Sequence, residues 1–181
     1  MKAMTMSQGG GGNRYLHRAS KVTVRRATKY FTAVAAETLL DKFNWSQDRT
    51  ISFLEQYYEQ YKSMNSGNVA IQEYEGGLRD DYGYTVALRN KCQKPKATPV
   101  AALEQRMTDL CLLWIVQVMV ITLMDKYGWS GTTVTRFVRN IDAAIPKFAD
   151  GGGDYEERLK RLREKHGLDI RAHIKMGSDA L

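Results

Sequence analysis

Apolar and polar positions alternate along this chain with the period of an α-helix. Val22, Ala27, Tyr30, Phe31, Val34 and Leu39 fall at roughly helical spacing, which predicts a helix from near Ser20 to Phe43. Ile51, Leu54, Tyr57, Tyr58 and Tyr61 predict a second, and Val134, Phe137, Val138 and Ile141 a later one ending near Pro146. Between them runs LCLLWIVQVMVITLM, Leu110 to Met124, apolar on all sides, broken by Gln117 and bounded by Asp109 and Asp125. It falls short of the roughly 20 apolar residues a membrane span needs. A buried central helix is therefore expected and no membrane contact. That helix starts at Thr98-Pro99, where a hydroxyl caps and proline fits the first helical position, and runs to Tyr127. The loops SMNSGN (63–68) and FADGGGD (148–154) precede further helical segments. Asp154 and Glu157 have capping-box spacing before YEERLKRLREKHG. Only three prolines interrupt the chain, which favours long helices.

The pattern repeats. TLLDKFNWSQDRTISFLEQY (38–57) aligns with TLMDKYGWSGTTVTRFVRNI (122–141) at a constant offset of 84. Thr38, Leu39, Asp41, Lys42, Trp45, Ser46 and Phe53 recur as Thr122, Leu123, Asp125, Lys126, Trp129, Ser130 and Phe137. The register continues to Leu78/Leu162, Gly83/Gly167 and Val86/Ile170. The fold class expected is all-α, a tandem repeat of two three-helix, helix-turn-helix-like units. The expected organisation is a disordered basic Gly-rich arm (1–19), a first repeat (20–86), a basic linker (87–97), a second repeat (98–175) and a tail (176–181). Asn44 and Gly128 hold the same turn position and both tolerate a left-handed backbone. Ser46 and Ser130 are placed to cap the helix that follows, and Gly83 and Gly167 to end the third helices.

Charge changes the picture by its distribution. The net value is +7, but residues 1–30 carry seven bases and no acid. Residues 31–85 hold nine acids and four bases, and residues 86–96 hold Arg89, Lys91, Lys94 and Lys96. A nearly neutral body thus bears a basic N-terminal arm and a basic linker, and localised positive charge of this kind attracts phosphate backbones. Cys92 and Cys111 are too few for a disulfide scaffold and read as free thiols of a reducing cytosol. The N-terminus MKAMTMSQGGGG has no apolar core of a secretory signal. The expected location is the cytoplasm.

LMDKYGWSGTTVTRF, Leu123 to Phe137, resembles the helix-turn-helix of bacterial repressors. The resemblance implies internal contacts from Leu123, Val134 and Phe137. It implies an outward face of Ser130, Gly131, Thr132, Thr135, Arg136 and Arg139, residue types that reach phosphates and guanine edges. Where that family places a small residue before the turn, this chain has Met124, with Leu40 in the first copy. The first copy's corresponding face, Ser46, Gln47, Asp48, Ile51, Ser52 and Glu55, carries two acids that would repel phosphate, so only the second copy is expected to read DNA. The other reading of the same segment is a helical corner in which Trp45 and Trp129 plug the core. The whole chain is also similar to small helical proteins of phages and prophages of Gram-positive bacteria. The pattern Thr122 to Ser130 with Leu162 and Gly167, and Thr38 to Ser46 with Leu78 and Gly83, carries that likeness. It implies a phage context among regulators and anti-defence factors, including inhibitors of CRISPR nucleases.

Enzymatic constellations are absent from the sequence. His17, His166 and His173 have no metal-ligand spacing, and no P-loop, dinucleotide fingerprint or nucleophile elbow occurs. No catalytic residue, metal or cofactor is expected. Two non-enzymatic classes remain. In the first, Arg14, Arg18, Lys21, Arg25, Arg26 and Lys29 meet phosphates of double-stranded DNA, with Ser130, Thr132, Thr135, Arg136 and Arg139 near a groove. In the second, the protein docks on a host nucleoprotein such as a CRISPR RNA-guided nuclease, its acidic stretch imitating DNA. The oligomeric state is left open.

Overall fold

The structure, a computed structural model, describes residues 12–63, 71–90 and 99–174. Among them are seven helices and no strand: α1 (Gly12–Phe43), α2 (Gln47–Ser63), α3 (Ile71–Tyr82), α4 (Pro99–Tyr127), α5 (Gly131–Ala149), α6 (Tyr155–His166) and α7 (Ile170–His173). The chain is all-α. Helix α1 begins at Gly12 instead of near Ser20.

Local chemistry sets the corners. Asn44 (φ 53°) and Gly128 (φ 63°) both take the left-handed conformation that reverses the chain after α1 and α4. The next amide closes each turn, Trp45 N–H donating to Leu39 O at 3.1 Å and Trp129 N–H to Leu123 O at 3.2 Å. Ser46 Oγ then accepts from Arg49 N–H at 3.3 Å and Ser130 Oγ from Thr133 N–H at 3.4 Å, satisfying an open amide of α2 and of α5. After α3 and α6, Gly83 (φ 61°) and Gly167 (φ 66°) end the helix. Tyr84 N–H donates to Leu78 O and Leu168 N–H to Leu162 O, both at 3.0 Å.

Two expectations are corrected. Asp154 precedes α6 but makes no side-chain cap. Its carboxylate instead accepts from the Tyr30 hydroxyl at 2.9 Å and from Arg158 Nε at 2.8 Å. A buried tyrosine and a charged guanidinium are stronger claimants than a solvent-facing amide. Helix α5 also runs through Pro146 to Ala149. Proline there removes the amide that would pair with the Asp142 carbonyl. Asn90 Nδ2 supplies the missing donor at 3.1 Å. The Asp142 carboxylate accepts in turn from the Arg89 and Asn90 amides at 2.9 and 3.0 Å. The start of the basic linker is thereby strapped to α5.

Helix α1 packs against α4, α5 and α6, while α4 packs against α1, α2, α3 and α5. Each long helix therefore takes partners from the other half of the sequence. One apolar cluster results, with Tyr30, Phe31, Phe53, Tyr57, Ile115 and Phe137 fully buried. Thr108–Tyr127 is long and apolar enough to cross a membrane by length and composition. Here it lies within α4, the helix on which α2 and α3 sit. The two corners meet in aromatic contact. Phe43 lies 4.7 Å from Trp129 and Tyr127 lies 4.9 Å from Trp45, both at 39°, and the two indoles are 5.4 Å apart.

Candidate nucleic-acid interface

The residues proposed to touch nucleic acid fall into three groups. Arg14, Arg18 and Lys21 lie on the α1 backbone, but their side chains fall outside the described residues. Arg25, Arg26 and Lys29 follow on the same helix and line an open groove against the Gly151–Gly152 loop. Arg26 donates to the Phe148 carbonyl at 3.0 Å and stacks its guanidinium 5.0 Å from that ring, so it sits at the C-terminal end of α5. The remaining five belong to the second corner and α5.

Those five do not share one face. Ser130 is committed to its cap. The Thr135 hydroxyl donates to the Gly131 carbonyl at 2.7 Å and accepts from the Tyr84 hydroxyl at 3.3 Å. The Tyr84 ring also lies 3.4 Å from where a side chain on Gly131 would start. The segment after α3 thus covers part of the surface that a groove-entering helix presents. Thr132, Arg136 and Arg139 remain exposed. Arg136 holds its guanidinium 5.5 Å from the Phe43 ring, and Arg139 makes no ion pair among the described residues.

What α5 does offer is a line. Eight of its residues are buried, among them Val134, Phe137, Val138, Ile141 and Phe148. The outer positions Thr132, Arg136, Arg139, Ala143 and Lys147 recur at helical spacing and are exposed. They include three cations and no acid. Lys147 shares a groove with Lys42 and Asn140 along the α1–α5 seam. Both lysines were missed by motif reasoning, which stopped at the corner. The 136-139-143-147 spacing reaches Lys147 only where the helix continues past Pro146. From Arg136 to the Phe148 carbonyl held by Arg26, the helix rises about 18 Å, near five phosphate-to-phosphate steps along one strand at about 3.4 Å each.

The chain matches no protein-family model, no curated protein and no solved structure.

The interface has therefore to be judged by its own electrostatics, and the acids along the same seam matter most. Glu37 takes a charge-assisted bond from Arg158 and another from Arg161 Nε at 2.9 Å. Asp41 accepts from Lys165 at 2.6 Å and from His166 Nε2 at 2.8 Å. Partial burial alone would raise the Asp41 carboxyl, but the Lys165 and His166 contacts outweigh it and hold it below the ordinary value. Asp154 is lowered in the same way, burial opposing and the Tyr30 and Arg158 bonds prevailing. Arg158, Arg161, Lys165 and His166 of α6 are thus turned toward the acids of α1, while Arg136, Arg139 and Lys147 keep the outer stripe of α5 positive. Nucleophilic chemistry finds no support in Cys111. Its thiol is buried and pushed up to about 12 by that burial. No group of three or more metal-ligating side chains occurs among the described residues.

Proposed function

We propose that the protein is a non-enzymatic, sequence-tolerant binder of nucleic-acid backbone. The stripe Arg136, Arg139 and Lys147 on α5 and the basic half of α1 form its contact surface. The observation that carries this reading is the acid-free solvent line of α5. Its counterpart α2 exposes Asp48, Glu55 and Glu59. Tyr84 over Gly131 and Thr135 favours contact along the helix over insertion of its first turn, so phosphate contact is favoured over base readout.

The test is a gel-shift titration with duplex DNA across salt. Arg136→Glu with Arg139→Glu is expected to lower affinity at least tenfold and to flatten the log–log salt slope by about 2, the counterions no longer released. Thr135→Ala is expected to leave binding unchanged. Unchanged binding in the double charge reversal would move the interface wholly to α1.

A second reading, docking on a host nucleoprotein such as a CRISPR RNA-guided nuclease, is favoured by the exposed acids Asp48, Glu55 and Asp81 on α2 and α3. It predicts weak affinity for free duplex and a stable complex in a pull-down from the bacterial host.

We also propose that the chain is two copies of one three-helix, helix-turn-helix-like unit, packed about a local two-fold. Support comes from bonds repeated at an offset of 84, Trp45–Leu39 with Trp129–Leu123 and Tyr84–Leu78 with Leu168–Leu162. The paired aromatic contacts of the two corners support it as well. On this reading the second copy kept a cationic outer helix and the first did not.

A further inference from the structure

The groove between α1 and the loop before α6 has a composition that backbone binding alone does not require. It encloses about 410 Å³, within the range of small-molecule sites. Arg25, Arg26 and Lys29 supply three cations, and Val22, Gly152 and Tyr155 supply most of the rest of the wall. Val22 is 66% exposed, one of few large apolar side chains left in water among the described residues. Gly152 (φ 58°) packs its backbone against the Tyr30 ring, where a Cβ would stand 3.4 Å from the ring carbons. The loop therefore closes one side of the groove. No carboxylate lines the groove, and Asp154, which bonds the lining residue Tyr30, is held by it and by Arg158. Arg26 uses one nitrogen on the Phe148 carbonyl, and a guanidinium has five N–H donors in all.

Three cations, apolar walls and no lining carboxylate suit a dianion that carries a flat apolar body. We propose that this groove takes a nucleoside monophosphate unit, either the 5′-phosphorylated end of a nucleic-acid strand or a free nucleotide. The phosphate lies among Arg25, Arg26 and Lys29, and the base lies between Val22 and Tyr155. A phosphate monoester carries about −1.5 to −2 charge at neutral pH, which three cations match better than they match a single carboxylate. A phosphodiester inside a strand carries only one charge. The groove thus distinguishes an end from a backbone. This deepens the polyanion reading and rests on it only in sharing α1.

The experiment uses the full chain and fluorescence anisotropy. A single-stranded oligonucleotide labelled at its 3′ end is offered with either a 5′-phosphate or a 5′-hydroxyl, and AMP is added as competitor. The phosphorylated end is expected to bind about tenfold tighter, the effect of added charge-assisted bonds, with AMP removing the difference. Displacement by AMP without an end preference assigns the groove to the free nucleotide. End preference without AMP competition assigns it to the strand. Equal binding of the two ends with no effect of AMP overturns the proposal. Lys29→Glu, at an exposed position, should abolish the preference while the thermal unfolding curve stays unchanged, and a Lys29→Glu variant that keeps the preference overturns it too. Arg136→Glu with Arg139→Glu should keep the end preference and lose duplex affinity, so the two readings fail separately.

Discussion

At the residue scale, the corners are fixed by two left-handed positions with different occupants. Gly128 has nothing within 4 Å of a would-be Cβ, yet its φ of 63° is unfavourable to most side chains. Gly128→Ala is therefore expected to lower stability by about 1–2 kcal/mol, read as a shift in the urea midpoint. Asn44, at φ 53°, already tolerates that region through its short polar side chain, so Asn44→Gly should be close to neutral. The carboxylates of the α1–α6 seam give a pH dependence of defined sign. Asp41 and Asp154 sit below the ordinary value of 3.8 despite partial burial, because Lys165 and His166 hold the first and Tyr30 and Arg158 the second. Their contribution is fully present above the ordinary carboxylate range. As pH falls through it toward the depressed folded values, the unfolded chain binds protons first and stability is lost. Urea midpoints measured from pH about 6 down to about 3 should fall steadily. Asp154→Asn should lower the neutral midpoint and shrink that fall. Arg158, with 10% of its side chain exposed, holds both Glu37 and Asp154. Arg158→Met leaves Glu37 with Arg161 alone and Asp154 with Tyr30 alone, and is expected to cost about 3 kcal/mol.

At the element scale, the corner explains itself as a joint. Trp45 is 8% exposed and touches Phe53, Tyr127 and Trp129. Removing it should empty the space where the two corners meet. Trp45→Ala is expected to destabilise by about 3–5 kcal/mol, visible as an early thermal transition, although Trp45 lies outside the basic stripe. A variant that lost DNA affinity and kept full stability would instead make the corner a contact surface. The helices and these turns were legible in the sequence because each depends on local chemistry: Asn44 and Gly128 for backbone sign, Ser46 and Ser130 for caps, Gly83 and Gly167 for helix ends. Helical spacing also showed which face of α5 is apolar. The partners were not legible. Periodicity marks a buried stripe but carries no information on which other stripe meets it, so α1 against α5 and α6 had to come from the fold. The same holds for Asp154, whose spacing to Glu157 reads as a capping box until Tyr30 arrives from far along the chain. Tyr84 over Thr135 and Asn90 under Pro146 are long-range in the same sense. Of the candidate interface, the cations of α1 and α5 were visible as residues, but the exposed line through Lys147 needed the helix to extend past Pro146.

At the scale of the whole molecule, the exchange of partners between halves decides how the chain must fold. Helix α1 buries Phe31, Val34 and Leu39 in a core completed by α4, α5 and α6, and α4 buries Ile115, Met119 and Leu123 in the same cluster. Neither half covers its long helix with its own shorter ones in the arrangement observed. A fragment ending at residue 90 would expose the face of α1 that meets α5 and α6, and a fragment beginning at residue 98 would expose the face of α4 that meets α2 and α3. Contiguous apolar surface of that kind drives association. Each fragment made alone is thus expected to be poorly helical or to self-associate, the nearest substitute for its missing half being a second copy of itself. Mixed in equal amounts, the two should form a one-to-one complex with the circular dichroism of the full chain, its melting temperature dependent on concentration. Light scattering behind size-exclusion chromatography separates these outcomes. If either fragment ran as a monomer and melted cooperatively by itself, the halves would be independent bundles joined in series. The interlocked core would then be wrong, and so would any interface that needs α1 to lie alongside α5.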